Sequence, residues 1–210
     1  MVDLGCGTGL STRAWSGRSA RTVGVDSNPS MLRLARRAPG VDYRLGSSSH
    51  TGIRSGSADI VTCSQSLHWM PPRSTLREVA RVLRRGGVFA AYDYVVPPLI
   101  EPGVDRAFTS LLRWAGLPAL PEEKAGHASR LARCGWFRWT GEVSVHGQDW
   151  GDAQRAIDLA LSLGHVAARL PRGEASEERH WKAFYRAVRQ SLGHSRTPFW
   201  WSYTVNLAVK

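Results

Sequence analysis

Val2-Asp3-Leu4-Gly5-Cys6-Gly7-Thr8-Gly9 is the stretch that decides the fold. Two apolar residues around an acid read as the end of a buried strand. The three alternating glycines read as the turn that follows. Glycine has no Cβ, so this backbone bends sharply and lets a ligand approach closely. A helix predicted a few residues later aims its N-terminal N–H groups at whatever the turn holds. The dinucleotide fingerprint G-x-G-x-x-G asks for glycine at position 10, and that position is Leu10. A nicotinamide-dependent oxidoreductase is therefore the disfavoured alternative. Only Met1 precedes Val2, so the first strand is short, and the chain is expected to be an N-terminally truncated version of a longer protein.

Outward from this loop the pattern alternates. Arg21–Asp26 (RTVGVD) is a β-branched run ending in an acid. Asn28-Pro29 opens a helix predicted over Ser30–Arg37, with Asn28 or Ser27 as N-cap and proline in the first turn. Val41–Leu45 reads as a third strand, 46–57 as Gly/Ser-rich loop, and Ala58–Ser64 as a buried strand. Pro71–Arg85 puts Leu76, Val79, Ala80 and Leu83 on one helical face, with Gly86-Gly87 as its stop. Val88–Val96 follows as a fifth strand. Beyond Pro97-Pro98 the regularity weakens. Helices are predicted over 105–115, 122–134, 152–170 and 176–192, a strand over 137–145, and a closing aromatic strand over Pro198–Val209. Alternation of this kind implies a parallel sheet with right-handed crossovers. One domain over 1–210 is expected, with 97–193 holding insertion and lid helices.

Composition narrows the class. An apolar content of 42% in 210 residues supports a real core, and no apolar run is long enough to span a bilayer. The three cysteines are odd in number and widely spaced, which suggests reduced thiols in a cytoplasmic protein and no metal site. The net charge of +11 invites a nucleic-acid reading. Yet the excess is mostly arginine spread through the predicted helices, so nucleic acid is not the expected partner. A small-molecule substrate, no membrane, and a monomer or homodimer are the expectations.

Four stretches in order resemble class I S-adenosylmethionine-dependent methyltransferases, in the type 11 group. They are the glycine loop, Gly24–Leu32 (GVDSNPSML), Ala58–Met70 (ADIVTCSQSLHWM) and Arg81–Gly87 (RVLRRGG). The resemblance implies an α/β, Rossmann-like seven-stranded sheet of order 3-2-1-4-5-7-6. Its last strand is antiparallel, helices cover both faces, and a helical lid is inserted. It also implies S-adenosylmethionine as cofactor and methyl transfer to a small-molecule acceptor. The segment around Leu159–Pro171 and the Trp-rich last strand are similar to the small-molecule branch related to trans-aconitate methyltransferases. Relatives usually carry covering helices ahead of the loop. A truncated, non-catalytic remnant of the fold is thus a further alternative.

Carried onto this chain, the family's cofactor contacts fall on Asp3, Gly5, Cys6, Gly7, Gly9, Asp26, Ser27, Met31, Ser47, Ser48, Ser64 and Gln65. Asp3 positions the aminoacyl end, and Asp26 takes the two ribose hydroxyls. Where relatives carry an aspartate for the adenine amino group, this chain has Ser47, an uncharged and weaker acceptor. The Ser48 N–H remains for the adenine ring. His68 is the candidate catalytic residue, either a general base or a pocket wall, and the wall is the favoured reading. Trp69, Tyr92 and Tyr94 join His68 as candidate substrate-pocket residues, with Asp93 beside them at the end of strand five.

Overall fold

A computed structural model describes residues 1–117, 126–170 and 179–210. The strands are β1 (Val2–Leu4), β2 (Thr22–Asp26), β3 (Val41–Leu45), β4 (Ala58–Ser64), β5 (Leu83–Tyr94), β6 (Trp139–Gly151) and β7 (Thr197–Val209). They form one mixed sheet in the order β3-β2-β1-β4-β5-β7-β6, as the resemblance implied. The first five pair in parallel. β7 runs antiparallel to β5, since Gly86 and Gly87 bond Lys210 whereas Val95 bonds Ser202. The helices are α1 (Leu10–Arg13), α2 (Pro29–Arg33), α3 (Pro72–Val82), α4 (Pro102–Trp114), α5 (His127–Arg133), α6 (Ala153–Ser162), α7 (Gly164–Arg169) and α8 (Arg179–Ser191).

Several boundaries differ from the sequence expectation. α2 stops at Arg33, four residues early. It buries no residue, so beyond the Asn28 cap, which accepts the Ser30 N–H at 2.9 Å, nothing rewards a further turn. α3 ends at Val82, and Gly86-Gly87 is not its stop. Leu83 is already strand, paired with Ala58 and fully buried. Sheet pairing and core burial win over the helical period there, and Gly86 takes its positive φ of 74° inside β5. The helix predicted over 152–170 breaks at Leu163, whose ψ of 112° is extended, giving α6 and α7. The helices predicted over 122–134 and 176–192 lie partly outside the described residues; α5 and α8 are the described parts.

The chain packs as two compact units. The first draws on the described residues within Met1–Asp93, Glu123–Ser144 and Thr204–Lys210. Its core sets Val2, Leu4, Val61, Cys63, Phe89 and Ala91 on one sheet face, because paired residues of β1, β4 and β5 share a side. Leu76, Val79 and Val82 of α3 and Leu131 of α5 belong to the same core. The second unit draws on the described residues within Tyr94–Glu122 and Val145–Tyr203. Its core joins Phe108 of α4, Ile157 of α6 and Phe184 of α8. The Phe108 and Phe184 rings tilt together at 4.8 Å between centroids.

Candidate functional site

The glycine turn lies at the carboxyl ends of β1 and β2, the edge where open α/β sheets hold ligands. Gly5, Gly7 and Gly9 all have positive φ, at 67°, 53° and 77°. Their surroundings differ. A Cβ on Gly5 would come within 2.6 Å of Ser66 Oγ, and one on Gly9 would strike the Tyr43 hydroxyl. A Cβ on Gly7 would meet nothing within 4 Å. The loop is therefore gripped at both ends and open in the middle.

Asp3 and Asp26 flank that loop in different states. Asp3 is fully buried. Its Oδ2 accepts the hydroxyls of Ser11 and Thr12, both at 2.7 Å, and its Oδ1 accepts the Thr62 hydroxyl at 2.7 Å. Thr62 is the cross-strand partner of Asp3, so the sheet register delivers that hydroxyl. Burial pushes the Asp3 carboxyl above its ordinary value, against the pull of the three hydroxyls. Asp26 is half-buried. It accepts the Gly7 N–H on Oδ2 and the Asn28 N–H on Oδ1, both at 2.8 Å. It pins the open middle of the loop and keeps acceptor capacity free for a further donor.

The other predicted cofactor residues fall around this edge. Cys6 donates its N–H to Val25 at 3.2 Å, and its buried thiol is pushed up to about 12, mainly by desolvation, so it is an inert packing group. Ser27 and Met31 are exposed at the start of α2. Ser47 Oγ lies 3.2 Å from Ser49 Oγ, and Ser48 Oγ accepts the Thr75 hydroxyl at 2.9 Å. Ser64 pairs with Tyr92 across β4 and β5, and the Gln65 N–H donates to the Tyr92 carbonyl at 3.0 Å. Gln65 has a φ of 51°, unusual for a residue with a side chain, which fixes a sharp exit from β4. Burial raises the Tyr92 phenol above its ordinary value.

The candidate pocket residues separate. His68 sits in a single 3-10 turn, Leu67–Trp69, with its ring tilted against Trp69 at 5.0 Å. Its side chain is 8% exposed, and Nδ1 lies 3.6 Å from Asp93 Oδ1. Trp69 is 72% exposed. Tyr94 belongs to the second unit, where its ring meets Trp201 at 5.3 Å and Tyr203 at 6.1 Å, both edge-on.

Sequence reasoning missed two groups of residues. Gly24 and Tyr43 are cross-strand partners on the face that carries Asp3. The Tyr43 ring passes over Gly24, where a Cβ would stand 2.9 Å from it, and ends against Gly9. The glycine in the β2 motif is thus a spatial requirement of that ring. His127 is the other. At the first position of α5 it is buried, with Nε2 4.0 Å from Asp93 Oδ2. No spacing along the chain links 127 to 68 or 93, so only the fold brings them together.

An open α/β sheet of this order, with a pinned glycine loop at β1 and an acid with open acceptors at the end of β2, is the fold that the resemblance to class I S-adenosylmethionine-dependent methyltransferases implied. Residues 2–91 match the family model described as a methyltransferase domain. The uncharacterized methyltransferase Rv3342 of Mycobacterium tuberculosis (strain ATCC 25618 / H37Rv) is 40% identical over 88 residues, 41% of this chain and 36% of that protein. Trans-aconitate 2-methyltransferase of Azoarcus sp. (strain BH72) is 40% identical over 94 residues, 43% of this chain and 37% of that protein. The chain thus spans well under half the length of these two curated relatives. A solved structure of a candidate type II methyltransferase from Anaeromyxobacter dehalogenans superposes with a TM-score of 0.75 at 22% identity. It covers 99% of this chain and 87% of its own, a likeness of fold. Among the described residues, no helix is long and apolar enough to cross a membrane.

Proposed function

We propose that this chain transfers the methyl group of S-adenosylmethionine to an oxygen, nitrogen or carbon of a small-molecule acceptor. The observation that carries the reading is the Asp26 carboxylate, half-exposed and bonded to the open middle of the glycine loop. Its two oxygens offer roughly four acceptor positions, and the Gly7 and Asn28 N–H groups take two of them. The remainder suits a pair of ribose hydroxyls. Gly5, Gly7 and Gly9 bring main chain close to the ligand, and Asp3 ties α1 and β4 to the end of β1 beside them. Ser47 and Ser48 stand for the adenine end, Ser64 and Gln65 for the aminoacyl end. When bound, the cofactor supplies an electrophilic methyl on a sulfonium. The chain's own work is alignment and exclusion of water.

His68 and Trp69 form the wall on which an acceptor is held. The Nδ1 edge of His68 is turned to Asp93, which favours a positioned wall over a general base. The exposed Trp69 ring offers an apolar or stacking surface. The resemblance to trans-aconitate 2-methyltransferase supports a small, carboxylate-bearing acceptor, and a carboxylate needs no base to accept a methyl.

Calorimetry with S-adenosylmethionine and S-adenosylhomocysteine is expected to show saturable binding, and NADH none. A labelled methyl donor mixed with a small-metabolite extract then identifies the acceptor by mass. Binding of NADH without binding of either adenosyl sulfur compound would overturn the reading.

A further inference from the structure

His68, Asp93 and His127 come from three separate elements of the first unit: the turn after β4, the end of β5 and the start of α5. Each side chain is at least nine-tenths buried, with 8%, 10% and 3% exposure. One ligand atom from each, two imidazole nitrogens and a carboxylate oxygen, lies within 4.8 Å of the other two. The carboxylate stands between the rings, with Oδ1 towards His68 and Oδ2 towards His127.

The spacing is informative. The nitrogen–oxygen separations of 3.6 and 4.0 Å are outside the hydrogen-bond range. His68 Nδ1 is buried and takes part in no hydrogen bond among the described residues. Nitrogen and oxygen ligands of one tetrahedral ion, with bonds near 2.0–2.1 Å, stand about 3.3–3.4 Å apart. Bringing all three donors to such an ion takes contractions of about 0.3 and 0.6 Å in the two nitrogen–oxygen separations and of up to about 1.4 Å in the widest ligand pair. Leu67 and Leu131, both buried members of this unit's core, line a small cavity together with His127 and Arg130.

We propose that His68, Asp93 and His127 bind a divalent transition-metal ion of the zinc type. Two neutral imidazoles and one carboxylate suit borderline cations such as Zn²⁺, Co²⁺ or Fe²⁺. Magnesium and calcium prefer oxygen-only sets. Three protein ligands leave a coordination position open, the arrangement of sites that bind a water or a substrate oxygen rather than closed structural sites. No spacing in the sequence hints at such a site, because its three cysteines take no part and the histidines are 59 positions apart. The site shares His68 with the proposed acceptor wall, but its test does not depend on methyl transfer.

The test uses the full chain, stripped with a chelator, with no cofactor added. Titration with zinc chloride in a calorimeter is expected to show one equivalent bound at micromolar Kd or tighter. Cobalt(II) is expected to give the intense visible bands of a four- or five-coordinate ion. His127→Ala and Asp93→Asn are each expected to weaken zinc at least tenfold. His146→Ala, at an exposed histidine bonded to Ser202, is expected to leave binding unchanged. If His127→Ala fails to fold by circular dichroism, His68→Gln carries the same comparison. Absence of saturable binding, binding unchanged in folded variants of the three residues, or an aquo-like cobalt spectrum would overturn the proposal.

Discussion

Asp3 and Asp26 end neighbouring strands on either side of one glycine turn, and the chain treats them oppositely. Three hydroxyls claim Asp3 in the dry interior. Among the described residues, main-chain N–H groups claim the half-buried Asp26. The buried acid works on the protein, tying α1 and β4 to the end of β1. The half-exposed acid works on the loop and keeps acceptors for a ligand. Proximity to a motif therefore does not decide which acid keeps acceptor capacity open. The hydroxyls that saturate one of them decide it, and those come from positions 11, 12 and 62.

The sharpest way to break this comparison is Asp3→Ala. It strands three hydroxyl donors, two of them in residues that are themselves buried, and is expected to lower folding stability by about 3 kcal/mol. Asp3→Asn keeps an acceptor oxygen and is expected to lose less. Urea unfolding measures both. An Asp3→Asn protein with full stability and no cofactor affinity would reverse the roles of the two acids.

The converse is Asp26→Ala. Loss of a charged acceptor is expected to weaken S-adenosylmethionine binding by about 1.5–3 kcal/mol, with a smaller change in the unfolding midpoint. Asp26→Asn is expected to cost less in binding. Calorimetry beside thermal melting separates the two effects. A variant that melts early yet binds normally would make Asp26 a cap and nothing more.

The loop itself allows a finer contrast. Gly9→Ala forces a left-handed residue, at a cost of about 1–2 kcal/mol, and drives its methyl into the Tyr43 hydroxyl, which is held by the Arg36 carbonyl at 3.0 Å. Gly7→Ala carries only the conformational part, since its Cβ meets open space. Gly9→Ala is therefore expected to be the more damaging, and pairing it with Tyr43→Ala to recover part of the loss. Equal melting temperatures for the two single variants would show that Tyr43 yields freely.

Much of this was legible in advance, and the limits have physical causes. The loop, the acid at the end of β2 and the parallel order were readable because local turn chemistry and the sheet agree there. The end of α3 was not. Residues 83–87 have helical neighbours and glycines, but Leu83 is claimed by Ala58 and the core. Gly24 looked like part of a motif, and only the path of the Tyr43 ring explains it. The His127 partner of Asp93 was invisible because the fold closes the distance in space and no periodicity marks it. In the second unit, caps at Glu101 and Asp152 mark helix starts, while the break at Leu163 carries only the glycine after it as a signal.

A third carboxylate sharpens the lesson with the smallest effect. Glu78 is also buried, though less completely than Asp3, and its neighbours are different. Its oxygens accept two guanidinium N–H groups of Arg81 at 2.7 Å, and the N–H and hydroxyl of Thr51 at 2.9 and 2.7 Å. Arg81 foremost, with Thr51 adding to it, holds the Glu78 carboxyl down to about 2 despite burial, where Asp3, bonded by neutral hydroxyls alone, is raised. The signs follow. A depressed folded value adds stability that is fully present above the ordinary 4.5 and is lost as pH falls towards about 2. A raised folded value, as at Asp3, makes the native state the better proton binder, so acidification costs nothing there. Because Arg81 is 39% exposed, solvent screening limits the Glu78 contribution to about 1 kcal/mol. Glu78→Gln is therefore expected to lower the urea midpoint modestly at pH 6 and to converge on the parent as pH approaches 2. A gap between variant and parent that stays constant from pH 6 to pH 2 would mean that Glu78 stabilises the chain by packing and hydrogen bonds that do not depend on its charge.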